Sequence, residues 1–295
     1  MRKSRRNYRT RFSASSLARL VRAPAALSVP GDVIAGAAAA GRSTDRRTLG
    51  MAASAVCLYW AGMALNDYAD APLDALERPE RPIPRGELSR GTALAVATGL
   101  TAAGLVLAGG FGRRPGLATA VPLAAGVWAY DLLLKDTPAG PAVMSAARGL
   151  DVLMGGGAGA CGPAAVVALH TYGVTALSRH EVTGAAPSAP LAALACAAGA
   201  VLAVGALAAR TPDRPGRAAA LASSARYLLG YGRALTAAAA DPSARRIRQA
   251  VGAGIVGLLP LQAALTAAAG APVRAAVVAA AGPLAGRLTK AVPAT

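Results

Sequence analysis

Long apolar runs separated by short polar segments dominate the chain. Crossing a hydrocarbon core takes about 20 residues in a helix. Ten runs approach or reach that length, at residues 24–40, 48–66, 92–110, 116–134, 139–157, 160–177, 188–209, 218–239, 248–269 and 272–290. Alanine and glycine fill them, and such small residues allow membrane helices to approach closely. The pattern therefore predicts an all-α polytopic membrane protein with about nine or ten spanning helices.

The formal net charge of +17 does not alter the prediction of a membrane protein. A basic soluble protein would favour a nucleic-acid partner, but here the basic residues lie mainly between apolar runs, so we expect none. With the amino terminus placed inside, the inner segments hold more arginine and lysine than the outer loops, as the positive-inside rule requires. We therefore predict a multi-pass protein of the cell membrane with a cytoplasmic amino terminus. A basic, disordered tail (residues 1–15) precedes one membrane domain (residues 16–295).

Polar side chains concentrate where the even-numbered runs end. These ends lie at residues 66–74, 130–135, 172–181 and 241–245, and the predicted topology places all four on the cytoplasmic side. The outer loops contain few acids. A helical ring that brings these ends together would form a polar chamber above an apolar cavity.

The end of the second apolar run contains four oxygen-bearing side chains, which are Asn66, Asp67, Asp70 and Asp74. On a helix, the three aspartates share one face because they are spaced by three and four residues. Acids at the mouth of a membrane span are costly unless a cation accompanies them. Carboxylate and amide oxygens are ligands that Mg²⁺ prefers, often together with substrate phosphates. These four residues are therefore candidate magnesium ligands.

A loop rich in proline and arginine follows the acidic run at residues 77–86. Its alternating prolines predict a stiff, extended segment that holds Arg78, Arg81 and Arg85 in place. Arginine binds phosphate oxygens bidentately. Carboxylates, Mg²⁺ and arginines together can hold a diphosphate and stabilise it as a leaving group. The alternative is a solvated loop whose charges follow from membrane topology.

The acidic run and the arginine loop together resemble the first acidic motif of the UbiA superfamily of intramembrane prenyltransferases. The shared pattern is Asn-Asp-x-x-Asp-x-x-x-Asp, followed by Arg-Pro-x-Arg-Pro-x-Pro-x-Gly. The resemblance implies a bundle of about nine helices around a central cavity. It also implies a Mg²⁺-dependent transfer of a prenyl group from its diphosphate to an acceptor that is often an aromatic ring.

The resemblance extends to two further spans. Tyr130 and Lys135 resemble a tyrosine and a lysine near the inner end of the family's fourth span. An interfacial tyrosine and a snorkelling lysine are the alternative. The stretch 147–155 resembles the family's fifth-span segment and contributes Arg148 and Asp151 as substrate-binding candidates. These two lie three residues apart in a span and could instead pair with each other.

The second acidic motif of the family is only partly present. The corresponding stretch, residues 170–181, includes Tyr172, and Glu181 is its sole carboxylate. Arg179 stands near the position where the family has an acid. It could contact the diphosphate directly in place of a metal ion, or the second metal and the activity could be lost. This departure resembles the UbiA-like EboC subgroup.

The remaining candidates are single residues. His180 or Glu181 could accept a proton, although His180 could also be an ordinary loop residue. Asp32 lies within the first run and is predicted to line the pocket or to start a helix. The three cysteines lie singly in apolar runs and indicate neither a metal site nor a disulfide.

Three functions fit these residues. The leading prediction is an enzyme in which Asp67, Asp70 and Asp74 hold Mg²⁺ with Asn66, while Arg78, Arg81, Lys135 and Arg179 hold a prenyl diphosphate. The second is a non-catalytic binder or transport component for lipid diphosphates. The third is a structural membrane protein with a charged loop. The acceptor and the prenyl chain length stay open.

Overall fold

The computed structural model describes residues 14–22, 26 and 28–291, and these residues are mostly helical, with no strand among them. The predicted basic tail therefore lies outside the described residues except for its last two positions. The α-helices are α1 (Ala14–Leu20), α2 (Val29–Ala39), α3 (Arg46–Glu77), α4 (Arg90–Leu107), α5 (Arg113–Ala129), α6 (Gly140–Gly156), α7 (Cys161–Ser178), α8 (Ser188–Ala209), α9 (Arg214–Tyr227), α10 (Arg233–Ala240), α11 (Ala244–Ala268) and α12 (Pro272–Ala291). The all-α prediction is confirmed.

The helices coincide with the predicted apolar runs. Within the described part of the chain, five helical stretches are long and apolar enough to cross a membrane, namely Arg46–Glu77, Arg90–Leu134, Gly140–Ser178, Ser188–Ala209 and Ala244–Ala268. The second and third stretches each contain two predicted spans. The backbone turns at Arg113, the first residue of α5, with a left-handed φ of 55°, and at Gly157, which follows α6, with a φ of 58°. Three predicted spans are not among the five. The described apolar helices in 24–40 and 272–290 are shorter, at Val29–Ala39 and Pro272–Gly282, and the span 218–239 contains Arg226 and Arg233.

Five helices surround a central cavity. Its wall is formed by α3, α5, α6, α7 and α11, together with the segment before α2. Large apolar side chains such as Leu58, Leu123 and Leu258 face the cavity, while alanine fills many of the helix contacts behind them. The result is the helical ring around an apolar space that the sequence pattern predicted.

The acidic run lies on α3, which continues for three turns beyond the apolar part of its span. The helix starts at a cap in which the Asp45 side chain accepts a hydrogen bond of 2.9 Å from the Thr48 amide. It then runs through Pro72 to Glu77, so all four polar residues of the motif are helical. The predicted face shared by Asp67, Asp70 and Asp74 is therefore real, because helical geometry brings residues spaced by three and four together.

Helices α2 and α6 pack at very close range through glycine. A methyl group at Gly36 would overlap the carbonyl oxygen of Val152, and one at Gly155 would overlap that of Val33. Contacts of this kind between small residues are typical of membrane helix pairs. The contact fixes the position of α6 relative to α2. Helix α6 contributes four residues to the cavity wall.

Substituting Gly155 with alanine should destabilise the bundle by about 1–3 kcal/mol, because the added methyl group has no space between α2 and α6. The matched control is Gly205→Ala in α8, where an added methyl group meets nothing within 4 Å. That control should be neutral or gain up to about 1 kcal/mol from helix propensity. Thermal unfolding in detergent measures both. Equal unfolding midpoints for the two variants would contradict the close packing.

Candidate functional site

The central cavity has a volume of about 490 Å³ and combines an apolar interior with a polar mouth. Its interior is lined by residues such as Leu123, Val127 and Val174. Asn66, Asp131 and Glu181 line the cavity near the helix ends that were predicted to face the cytoplasm. Pockets of this size and mixed lining commonly bind small molecules or cofactors.

Two acids of the first motif are buried and hold one arginine. Asp67 and Asp74 are 4% and 2% exposed, and Arg81 is 6% exposed. The Arg81 guanidinium lies 2.6 Å from the Asp74 carboxylate and 3.4 Å from that of Asp67. A guanidinium between two carboxylates gives well-placed charge-assisted hydrogen bonds. Arg81 does not line the cavity, so its contacts fix the two acids from behind.

The arginine loop is folded rather than extended, which corrects the prediction for residues 77–86. Turns close it through hydrogen bonds from the amide of Arg81 to the carbonyl of Arg78 and from the amide of Arg85 to that of Arg81. Proline fixes φ near −65°, which suits a turn as well as an extended segment. The buried contacts of Arg81 draw the loop back against α3. Arg78 remains exposed, 4.0 Å from Asp74.

The other two polar residues of the motif connect α3 to the end of α5. The Lys135 ammonium pairs with Asp70, and Asn66 donates a hydrogen bond of 3.3 Å to Asp131. Residues 130–134 form a π-helical segment that places Asp131 in the cavity wall, with Tyr130 beside it. The structure thus brings together the polar ends of two spans, as the topology predicted.

Arg22 enters the mouth from the segment before α2. It lines the cavity and donates hydrogen bonds to Asp67 at 3.1 Å and to Asn66 at 3.4 Å. Its φ of 46° is left-handed, an uncommon conformation for a residue other than glycine. Such strained backbone is often found at functional sites.

Only some of residues 170–181, the second-motif region, line the cavity. Glu181 lines the mouth, and burial raises the pKa of its carboxyl against the opposing charges of Arg248 and Arg78. Arg179 is exposed and donates to the carbonyl oxygen of Thr137. Tyr172 is 46% exposed and, like His180, is absent from the cavity wall.

A second group of charges lies farther from the mouth. Arg148 pairs with Asp32 at 2.5 Å and lies 3.7 Å from Asp151. Arg148 and Asp151 line the cavity, whereas Asp32 is fully buried behind it and receives a hydrogen bond of 2.7 Å from Gln262. The predicted pairing of Arg148 with Asp151 exists, but Arg148 is shared with Asp32.

The donors at the mouth suit a divalent cation only when it arrives with a substrate. Within the described residues, no three acid, histidine or cysteine side chains converge as a ready-made metal cluster. Asp67 and Asp70 each contact a cationic side chain instead. Mg²⁺ commonly uses one or two protein carboxylates and completes its shell with substrate phosphates and water. The motif's oxygens therefore fit an ion that arrives with a diphosphate.

Sequence reasoning missed two residues of the mouth. Asp131 follows Tyr130 directly, and its position at a polar span end was the signal that could have included it. Arg22 gave no such signal, because it lies before the first predicted span and its partners are 44 and 45 residues away along the chain. His170 was also passed over. It lines the cavity, and its Nδ1 lies 2.9 Å from the buried Tyr227 hydroxyl.

Comparison with known proteins finds a family model that matches most of the chain. The UbiA prenyltransferase family matches residues 29–291. The chain is 34% identical over 170 residues to digeranylgeranylglyceryl phosphate synthase of Natronomonas pharaonis, covering 56% of this chain and 60% of that protein. The same enzyme of Methanopyrus kandleri is 41% identical over 86 residues, which cover 29% of this chain and 31% of that protein. The chain thus aligns with less than two thirds of the length of these relatives.

Two solved structures share the fold. A UbiA homologue from Aeropyrum pernix K1 has a TM-score of 0.64 and 20% identity, with 81% of this chain and 96% of that chain covered. A structure from work on digeranylgeranylglyceryl phosphate synthase in membranes has a TM-score of 0.64 and 18% identity, with 86% and 97% covered. These likenesses show the all-helical architecture.

Proposed function

The chain belongs to the UbiA prenyltransferase family, and on this basis we propose that it transfers a prenyl group from a prenyl diphosphate to an acceptor within the membrane. The observation that carries the proposal is the mouth of the central cavity. There, Arg22, Asn66 and Asp131 line the cavity above an apolar interior, and the ion pair of Asp70 with Lys135 lies close to Asp131 without lining the cavity. This arrangement matches a substrate with a polyanionic head and an apolar tail.

The cations of the mouth are proposed to hold the diphosphate. Arg22 lines the cavity, Lys135 pairs with the half-buried Asp70, and Arg78 is exposed beside Asp74. All three can turn toward phosphate oxygens without leaving a fully buried acid alone, since Asp67 and Asp74 keep Arg81. Arg179 is exposed nearby and could join them from the edge.

Mg²⁺ is proposed at the oxygens of Asn66, Asp67 and Asp70, where it would supply positive charge to the phosphates. Prenyltransferases of this family generally use a divalent metal. Asp74, which the sequence also predicted as a ligand of Mg²⁺, is proposed instead to keep Asp67 in place through Arg81, which contacts both carboxylates. The chemistry of these donors suits Mg²⁺ better than softer metals, since all of them are oxygens.

The interior of the cavity is proposed to shelter the reacting carbon. When the bond between the diphosphate oxygen and the first prenyl carbon breaks, its electron pair leaves with the diphosphate and the carbon becomes an allylic cation. Leu58, Leu123, Val127 and Val174 line the space below and would exclude water from that cation. The acceptor then forms the new bond and gives up a proton. Glu181 is the better-placed candidate to receive the proton, because it lines the mouth and His180 does not.

A non-catalytic binder of prenyl diphosphates is the second candidate. The observation that favours it is the second-motif region, where Arg179 stands near an expected acid and only Glu181 offers a carboxylate. Asp131 weakens this reading, because it supplies an additional acid at the mouth from a different span. The EboC subgroup assignment stays a prediction.

Binding and release of diphosphate distinguish the two candidates. The purified protein in nanodiscs is given labelled geranylgeranyl or farnesyl diphosphate, with Mg²⁺ or with a chelator. An enzyme should bind the substrate in a Mg²⁺-dependent way and release diphosphate over many turnovers. Mg²⁺-dependent binding without turnover would identify a binder. Absence of Mg²⁺-dependent binding would contradict both candidates and favour a structural membrane protein with a charged loop.

A further inference from the structure

A buried charged cluster forms one side of the cavity, away from the mouth. Arg148 and Asp151 line the cavity, Asp32 pairs with Arg148 from behind, and Gln262 donates a hydrogen bond to Asp32. Helix α6 begins at Gly140, shortly after Lys135 at the mouth. Asp151 lies eleven residues further along this helix. At 1.5 Å per residue, Asp151 lies roughly 16 Å along that helix, beyond the motif that serves the diphosphate.

One oxygen without a hydrogen-bond partner belongs to a residue of this cluster that lines the cavity, whereas Gln262 Oε1, which also has none, lies behind the wall. Asp151 is 95% buried, and its Oδ1 atom has no hydrogen bond within the described residues. Its Oδ2 atom lies 3.7 Å from Arg148, while the two Asp32 oxygens are engaged by Gln262 and Arg148. A buried acceptor without a donor is costly, and such atoms in native proteins generally have a role or a bound ligand or water.

The charge of the cluster limits what can meet this oxygen. The cluster carries a formal charge of −1 when both carboxyl groups are ionised and 0 when one is protonated, so it offers no net positive charge to attract a carboxylate or phosphate group. A group that donates a hydrogen bond and carries no negative charge is favoured. The neighbouring wall is formed by Tyr59, Ala147 and Leu58, which suits an otherwise apolar molecule.

We propose that Asp151 Oδ1 accepts a hydrogen bond from an uncharged hydroxyl group of the acceptor substrate. This inference rests on the proposed function and adds to it the class of acceptor, a neutral hydroxyl compound with an apolar body. Arg148 acts as a positioning residue that holds Asp151 through its Oδ2 atom, and Asp32 fixes Arg148 in turn. An aliphatic alcohol of a lipid and a phenol share the required chemistry.

The recognition is tested with two pairs of probes on the full-length protein in nanodiscs. The aliphatic pair is 1-O-octadecylglycerol and its dimethyl ether, and the phenolic pair is 4-nonylphenol and 4-nonylanisole. Each is titrated in the presence of geranylgeranyl thiodiphosphate and Mg²⁺, and dissociation constants are measured. The wild type should bind the hydroxyl probe about tenfold more tightly than the ether in at least one pair. The pair that shows the difference identifies the source of the hydroxyl.

Variants assign the effect to Asp151. Asp151→Leu should abolish the preference for the hydroxyl probe, and Asp151→Asn should reduce it. Asp136→Leu makes the same change at an exposed acid and should leave the preference intact. Equal affinities for hydroxyl and ether in both wild-type pairs would overturn the proposal without depending on any variant folding. A preference for the hydroxyl probe that remains in Asp151→Leu would also overturn the proposal. The hydroxyl group would then bind elsewhere, and Asp151 Oδ1 would contact only water.

The test separates this inference from the proposed function. Mg²⁺-dependent binding of the thiodiphosphate is measured in the same samples and depends on the mouth, not on Asp151. Its loss in the wild type would contradict the proposed function. Its retention together with equal probe affinities would contradict only the assignment of Asp151.

Discussion

Substituting Asp70 with asparagine should lower Mg²⁺-dependent turnover of geranylgeranyl diphosphate by about 100-fold or more, because a charge that stabilises the departing diphosphate is lost. The variant should still fold. The Asp70 side chain is 21% exposed and its ion pair with Lys135 is partly solvated. Loss of such a pair costs about 1 kcal/mol or less. Steady-state release of diphosphate and thermal unfolding measure the two effects separately.

Glu77→Gln is the matched control for this prediction. Glu77 lies on the same helix one turn beyond Asp74, near the same face, and is exposed. The substitution removes the same charge without touching the mouth, so turnover should stay within about twofold of the wild type. If both variants lost activity equally, general electrostatic attraction rather than a specific site at Asp70 would explain the loss.

Substituting Arg148 with methionine should destabilise the protein by roughly 3–5 kcal/mol, because it leaves two buried carboxylates without their cation. Asp32 is fully buried and Asp151 is 5% exposed, so water cannot replace the guanidinium easily. Thermal unfolding in detergent measures the loss. Arg210→Met is the control at an exposed arginine on the end of α8 and should change stability by about 0.5 kcal/mol or less.

Removing all three charges should restore most of this stability. In the triple variant Asp32→Asn, Arg148→Met and Asp151→Asn, all three charges of this cluster are gone. Replacing a complete buried ion cluster by neutral groups is often close to neutral in stability. If the triple variant were as unstable as Arg148→Met alone, the arginine would act through packing of its apolar stem rather than through its charge.

The features that depend on local spacing were predictable from the sequence. Apolar runs identify most of the helices, and the intervals between Asp67, Asp70 and Asp74 place them on one helical face. Both follow from the helical repeat and the length of a membrane span, which are properties of neighbouring residues. The same reasoning found the polar helix ends, and the structure joins two of them through the pairs Asp70–Lys135 and Asn66–Asp131.

The features that depend on distant residues were not predictable. Asp32 pairs with Gln262 across 230 positions of the chain, and Arg22 reaches Asp67 across 45. No local pattern encodes such contacts. The loop at residues 77–86 shows a related difficulty, since proline allows both an extended segment and a turn. The loop adopts turns because Arg81 contacts two buried acids of α3.

The central claim is that the cavity transfers a prenyl group rather than only holding its diphosphate. The most direct measurement uses geranylgeranyl diphosphate with separate labels in the prenyl group and in the diphosphate, incubated with the protein in nanodiscs, Mg²⁺ and a membrane lipid extract. Diphosphate should be released together with an equal amount of prenyl label in a new lipid product, and a chelator should stop both. Tight Mg²⁺-dependent binding with neither release nor a labelled product would contradict the claim.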